Sequence, residues 1–354
     1  MLPPVQLLEI RSDPHTDALV RFKSQPATRG YQKDSISPRS VPRIDSGAVP
    51  RHFLSMDDVS SAELDEILQL AAKAKASRGD FAGRLGGRSV AMIFEKPSAR
   101  TRVSFEVAVA EVGAHPVVLS DEELQMGRRE SIDDVGRVLS RYVNAIVLRT
   151  FGQERLEFLA KAASIPVINA LSDFEHPCQC LADLLTIRER KGDLSGVDLT
   201  YLGDGNNVAH SLLLGGALTG MRVRVATPPG FEPIPQVVAR AEQIAESTGG
   251  GVAVFTDPEP AIAGADVLYT DVWASMGQEQ EADERSLVFP AYRLDQAAVD
   301  RAAPDVIVLH CLPAHRGQEI TDEVIDGPHS AVWDQAENRL HTQKALLLWL
   351  LDAA

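Results

Sequence analysis

Short apolar runs alternate with helix-length amphipathic stretches along most of this 354-residue chain, and that alternation limits the fold more than any other feature. Strand-like runs at 90–94, 117–119, 145–148 and 166–168 are interleaved with helical stretches at 101–112, 131–142, 153–163 and 177–190. A strand followed by a helix and then another strand is the signature of a parallel sheet, because parallel neighbours need a long crossover. The alternation breaks at Lys191–Gly192–Asp193–Leu194–Ser195–Gly196 and restarts, with strands expected near 198–202, 222–226, 252–255, 266–270 and 305–309. The expected fold class is therefore α/β, with two similar-sized domains at 50–190 and 191–334, each a parallel sheet flanked by helices. A last apolar helix, about 335–352, has enough hydrophobic residues to pack back across the first domain, giving a C-terminal segment 335–354. Ser60 and Glu63 form a capping box, and Leu64, Ile67, Leu68 and Ala71 share one helical face. Residues 1–49 differ: prolines at 3, 4, 14, 26, 38 and 42 interrupt a polar tract, which reads as a disordered extension.

A net charge of −15 argues against broad nucleic-acid binding, and no apolar run is long enough to span a membrane. Three cysteines, an odd number, point to free thiols in a reducing, cytoplasmic setting. The expected partners are small molecules.

In parallel sheets the chemistry collects beyond the carboxyl ends of the strands, so the polar residue after each apolar run carries most of the information. The run Val90–Phe94 leads through Glu95–Lys96–Pro97 into Ser98–Ala99–Arg100–Thr101–Arg102, hydroxyls and guanidinium groups at a helix start. Exposed N–H groups and the positive end of the helix dipole favour a phosphate there, and the side chains add further donors. Arg149 follows the third run, and His176–Pro177–Cys178–Gln179 opens a helix after the fourth. The second half contributes Gly203–Asp204–Gly205–Asn206–Asn207, then Asp271 with Ser275–Met276–Gly277, and His310–Cys311–Leu312–Pro313. Single motifs have plainer readings. His176 serves equally well as a helix cap, and Cys178 and Cys180 suit a core better than a metal, because residues two apart on a helix face different ways. Gly203–Asp204–Gly205 resembles a dinucleotide fingerprint but lacks the third glycine, and no acidic ribose ligand follows 222–226. A nicotinamide oxidoreductase and a non-catalytic phosphate sensor are thus the rival classes.

Taken in order, Ser98–Arg102, His176–Gln179, Asp271 with Ser275–Gly277, His310–Pro313 and Ala336–Glu337–Asn338–Arg339 resemble the successive signatures of the carbamoyltransferases over about 50–352. Ser275–Met276–Gly277 and Cys311–Leu312–Pro313 are similar to the ornithine-using branch. Ala99 departs from the bulkier residue more usual there, at a position that would offer mainly its backbone N–H. The resemblance implies carbamoyl transfer from carbamoyl phosphate to the side-chain amine of ornithine, in arginine metabolism, with a related amine such as acetylornithine or putrescine as the alternative. It implies no metal and no organic cofactor. It assigns Ser98, Ala99, Arg100, Thr101, Arg102, Gln125, Arg149, His176, Pro177, Cys178, Gln179, Cys311, Leu312 and Arg339 to carbamoyl phosphate. Asn207, Asp271, Ser275 and Met276 are assigned to ornithine, and Arg149, His176, Asp271 and Cys311 to catalysis. The loop carrying Gln125 is expected to reach a neighbouring subunit's site, which implies a homotrimer.

Overall fold

Among the described residues nine strands form two sheets, and every pairing in them is parallel. The computed structural model describes residues 50–274 and 282–352, so the expected extension and the segment Ser275–Met276–Gly277 lie outside the described residues. The first sheet, in the order β2-β1-β3-β4, contains β1 (Ser89–Phe94), β2 (His115–Ser120), β3 (Ala145–Arg149) and β4 (Val167–Leu171). The second, in the order β7-β6-β5-β8-β9, contains β5 (Asp198–Leu202), β6 (Arg222–Ala226), β7 (Gly251–Phe255), β8 (Val267–Thr270) and β9 (Ile307–His310). Helices cover both faces, so the central strands β1, β3 and β8 are buried along nearly their whole length rather than alternating.

Strand order places the site. In the first sheet the chain winds one way from β1 to β2 and the other way to β3, and in the second the reversal falls between β5 and β8. Adjacent loops part at such a reversal and leave a crevice beyond the carboxyl ends. The residues after β1, β3, β5 and β8 are the polar groups singled out above.

Ser60 caps the helix Ser61–Ala76 with the reciprocal Glu63 bond, as the capping box predicts. The next helix begins earlier than expected, at Ala99–Glu111, because Ser98 is its N-cap and accepts from the Thr101 N–H at 3.3 Å. Strand β4 runs on to Leu171 past Asn169, a buried polar residue whose Nδ2 donates to the Leu54 carbonyl at 2.8 Å. The last helix, Val332–Leu351, packs against Ser61–Ala76, Ala99–Glu111 and Pro177–Lys191. Its apolar residues 345–348 lie in the main core with Leu64, Leu68 and Leu184. No helix among the described residues is long and apolar enough to cross a membrane.

Candidate active site

A cavity of about 960 Å³ opens at the carboxyl ends of both sheets. Its lining is polarised. From the first sheet and the last helix come Arg100, Arg149, His176 and Arg339, with Lys96 and Asp173 as an ion pair, and from the second half of the chain Asn207, Glu232 and Asp271, with Asp204 paired to Arg285.

The cationic end is built from groups that no carboxylate neutralises. Among the described residues, Arg100, Arg149 and Arg339 form no ion pair with an acid, although Arg149 and Arg339 are buried. The Arg339 Nη2 donates to Thr101 Oγ1 at 2.6 Å, which leaves the threonine O–H free to donate elsewhere. The Nε atoms of Arg149 and Arg339 have no hydrogen-bond partner. Burial, then the neighbouring Arg339 and Arg100, lower the pKa of Arg149 to about 10. The same surroundings act on His176: burial, then Arg339, Arg149 and Arg100, hold it well below the ordinary imidazole range. It is therefore a neutral ring at pH 7. His176 occupies the N-cap position of Pro177–Lys191, but its side chain makes no cap bond and its Nδ1 is unpartnered, so capping does not explain it.

Other expected phosphate ligands do not face the cavity. Arg102 is exposed on the outer side of its helix and pairs with Glu106 at 2.7 Å, one turn on. Each helical residue turns the side chain by about 100°, so Arg100 and Arg102 cannot share one direction. Cys178 points into the core, its thiol donating to the Asn169 carbonyl, with Pro177 buried beside it, whereas Gln179, also buried, gives its Nε2 to Asp183 and keeps an Oε1 without a partner, open to a ligand's donor. Cys180, likewise buried, donates to Ser211 O. Gln125 is an exposed residue with φ 45°, and it does not line this chain's cavity.

At the anionic end, Asp271 follows β8 and is held by neutral donors. Its Oδ1 accepts from Cys311 Sγ at 2.9 Å and the Val272 N–H at 2.8 Å, and its Oδ2 accepts from Asn206 Nδ2 at 3.0 Å. Burial, and next the Asp271 carboxylate, push the Cys311 thiol well above its ordinary pKa, so it stays protonated. Asn207 faces the cavity and donates to the Ser172 carbonyl at 2.6 Å. Asp271, His310 and Cys311 bring ligand-type atoms within 4.8 Å of one another. Both ring nitrogens of His310 are already engaged, however: Nδ1 accepts from the Leu312 N–H at 2.9 Å and Nε2 donates to Glu319 at 3.0 Å. The histidine closes β9 and fixes the turn in which Leu312 adopts φ 58°, a left-handed conformation that a branched side chain rarely takes.

Three features escape the sequence reading. Asn206, named in the loop after β5 but given no role, orients Asp271 while capping Asn207–Leu218 through Val208 and Ala209. Lys96 sits buried in the cavity wall, paired with Asp173 and 4.4 Å over the Phe151 ring. Arg285 reaches Asp204 at 2.7 Å from a helix far along the chain, and nothing local announces it.

The family model described as aspartate/ornithine carbamoyltransferase, carbamoyl-P binding domain, matches residues 51–189, and the Asp/Orn binding domain model matches 195–350. The chain is 63% identical over 305 residues to a protein named ornithine carbamoyltransferase from Parafrankia sp., covering 85% of this chain and 96% of that one. A protein of the same name from Acidothermus cellulolyticus is 60% identical over 304 residues, covering 86% and 97%. The solved structure of ornithine carbamoyltransferase from Pyrococcus furiosus superposes with a TM-score of 0.84 at 51% identity, covering 86% of this chain and 98% of its own. Two matched models with nearly the whole folded chain between them leave one assignment: this chain belongs to the aspartate/ornithine carbamoyltransferase family.

Proposed function

We propose that the protein transfers the carbamoyl group of carbamoyl phosphate to the side-chain amine of L-ornithine, giving L-citrulline and phosphate. The observation that carries this is the polarised cavity: unneutralised guanidinium groups at one end suit a dianion, and the Asp271 and Glu232 carboxylates at the other suit a cationic amino acid. On this reading residues 50–190 bind carbamoyl phosphate, 191–334 bind ornithine and 335–354 return to the first domain.

The chemistry follows from the groups present. Ser98, Arg100 and the start of the Ala99–Glu111 helix hold the phosphate, and Arg339 adds charge beside it. Thr101, Arg149 and neutral His176 donate toward the carbonyl oxygen, where negative charge grows as the carbon becomes tetrahedral. Gln179 and the carbonyls of Cys311 and Leu312 accept from the carbamoyl NH₂. Ornithine's amine, with an unperturbed pKa near ~10.4, is mostly protonated at pH ~8, and removing that proton costs roughly 3 kcal/mol. The Asp271 carboxylate is the acceptor, with the Cys311 thiol holding it in place as a neutral donor. The freed nitrogen attacks the carbonyl carbon, the bond from that carbon to the bridging oxygen breaks, and the departing phosphate takes the second amine proton. Asn207, with Ser275 and Met276, grips the amino-acid end. No metal or organic cofactor enters this scheme. We place the enzyme in the cytoplasm as a homotrimer, in which exposed Gln125 serves a neighbour's cavity rather than its own.

The test is a colorimetric citrulline assay with carbamoyl phosphate and a panel of ornithine, acetylornithine, putrescine and aspartate. Citrulline from ornithine, with the other three carbamoylated at least a hundredfold more slowly, is the expected result. Preferred carbamoylation of another amine, or none, overturns the reading.

A further inference from the structure

Asp183 is fully buried on the helix Pro177–Lys191, one turn beyond Gln179. Its Oδ1 accepts from Gln179 Nε2 at 2.8 Å and from Gln335 Nε2 at 2.7 Å, while its Oδ2 has no partner. No cation pairs with it among the described residues. A buried acid without a counter-ion is costly, and burial pushes its pKa up to about 7. If it only tied helices together, an apolar residue would do so at lower cost.

Its partners give it a second role. A glutamine side chain has two ends of nearly equal size, one donating and one accepting, and only its surroundings decide which way it lies. With or without a proton on Oδ2, Oδ1 remains an acceptor, so it captures the NH₂ end of each amide. Gln179 is left with its Oε1 turned away from Asp183 and without any partner although buried, within one turn of the cavity-lining His176. Gln335 is left with its Oε1 on the His310 N–H at 2.9 Å, while its Nε2 also donates to Tyr269 Oη at 3.0 Å. His310 immediately precedes Cys311 and Leu312. Both acceptors assigned above to the carbamoyl NH₂ therefore trace back to one carboxyl oxygen.

We infer that Asp183 is a positioning residue that sets the polarity of Gln179 and Gln335, and thereby makes the site discriminate a carbamoyl NH₂ from a methyl group of the same size. The inference rests on carbamoyl phosphate being the substrate. The test uses two stable ligands of one shape, phosphonoacetamide, which carries the NH₂, and acetonylphosphonate, which carries CH₃ in its place. Dissociation constants are measured by calorimetry on the intact protein and on Asp183→Leu, which keeps the shape of the side chain but has no acceptor to capture either amide. The wild type is expected to prefer phosphonoacetamide by roughly tenfold or more, the worth of one well-made buried hydrogen bond. Asp183→Leu is expected to bring that ratio within about threefold of unity while changing acetonylphosphonate affinity by less than about threefold. Asp183→Ala replaces the leucine variant if that one does not fold, and the same loss is expected. An unchanged ratio in the variant overturns the inference, as does an equal weakening of both ligands, which would mark Asp183 as merely structural. If the wild type binds neither ligand, the substrate reading has failed first, and the inference falls with it.

Discussion

Replacing Arg149 with methionine should stabilise the protein without ligand and abolish much of its response to ligand. The fall in the arginine's pKa from its ordinary value to about 10 means that the folded state disfavours the charged form, chiefly through burial and then through Arg339 and Arg100. With the folded pKa below the unfolded one for a base, the penalty is present at every pH below about 10, neutral pH included. A fall of that size corresponds to roughly 3 kcal/mol. Methionine keeps much of the stem's packing and removes the charge, so part of that penalty should be recovered. At roughly 2 °C per kcal/mol for a domain of this size, Tm without ligand should rise by a few degrees. Phosphonoacetamide at about 100 times its Kd should stabilise the wild type by about 2.7 kcal/mol, because it binds only the folded state. The same concentration should add far less to the variant, whose affinity has dropped. Differential scanning fluorimetry with and without the ligand reads both quantities. A variant that loses several degrees without ligand, yet gains as much as the wild type when it is added, would show that Arg149 is structural support and not part of the anion site.

Three further outcomes follow from the same geometry. Arg102→Ala should leave phosphonoacetamide affinity within about twofold, since an exposed i,i+4 pair with Glu106 contributes only about 0.5 kcal/mol, whereas Arg100→Ala should weaken it by tenfold or more; equal defects by calorimetry would return Arg102 to the site. Asp271→Asn should raise the ornithine KM and lower kcat together while the carbamoyl phosphate KM stays near normal, and steady-state kinetics showing a defect in carbamoyl phosphate alone would contradict the assignment of that end of the cavity. Glu175, buried with its Oε2 accepting from the Met56 N–H and Ser211 Oγ at 3.1 Å each, has its pKa raised by burial to about 7. The folded state therefore holds its proton more tightly than the unfolded chain, and stability falls as pH rises from about 4.5 through about 7, by on the order of 3 kcal/mol. Glu175→Gln should flatten that fall, so its Tm relative to wild type should climb between pH 5 and 8; parallel curves would contradict the shift.

Much of the fold was legible because both sheets are parallel and covered on both sides, which makes central strands such as Val90–Phe94 and Ala145–Leu148 continuous apolar runs. The misjudged boundaries share a cause. Asn169 hid the continuation of β4 because its NH₂ end finds a distant partner in the Leu54 carbonyl, and Ser98 hid the helix start because a cap reads locally as loop. Arg102 faces away from the cavity because the string of donors lies on a helix, which sends successive side chains in different directions. Asn206, Lys96 with Asp173, and Arg285 with Asp204 act through partners 65, 77 and 81 residues away, and no local pattern encodes such pairings. The acids and bases at strand ends were readable by contrast, because a charged residue directly after an apolar strand has few places to go except the crevice.

Charge segregation explains why these ends are built as they are. In a chain of net charge −15 there are ample carboxylates to neutralise Arg100, Arg149 and Arg339, yet they form no ion pair with an acid among the described residues. Asp271, conversely, is oriented by a thiol, a backbone N–H and a carboxamide, which direct it without cancelling its charge. Had Asp271 been paired with Arg339, each would be cheaper to bury and neither would attract a substrate, since an ion pair presents little net field beyond its own length. Leaving both unneutralised stores unfavourable energy in the ligand-free protein that only a dianion at one end and a cation at the other can relieve together. The neutral His176 beside the guanidinium groups belongs to the same arrangement: as an imidazolium it would add a further positive charge to a cluster already short of anions, whereas a neutral ring can still donate a hydrogen bond to a charge that appears only during reaction, the role proposed for it above.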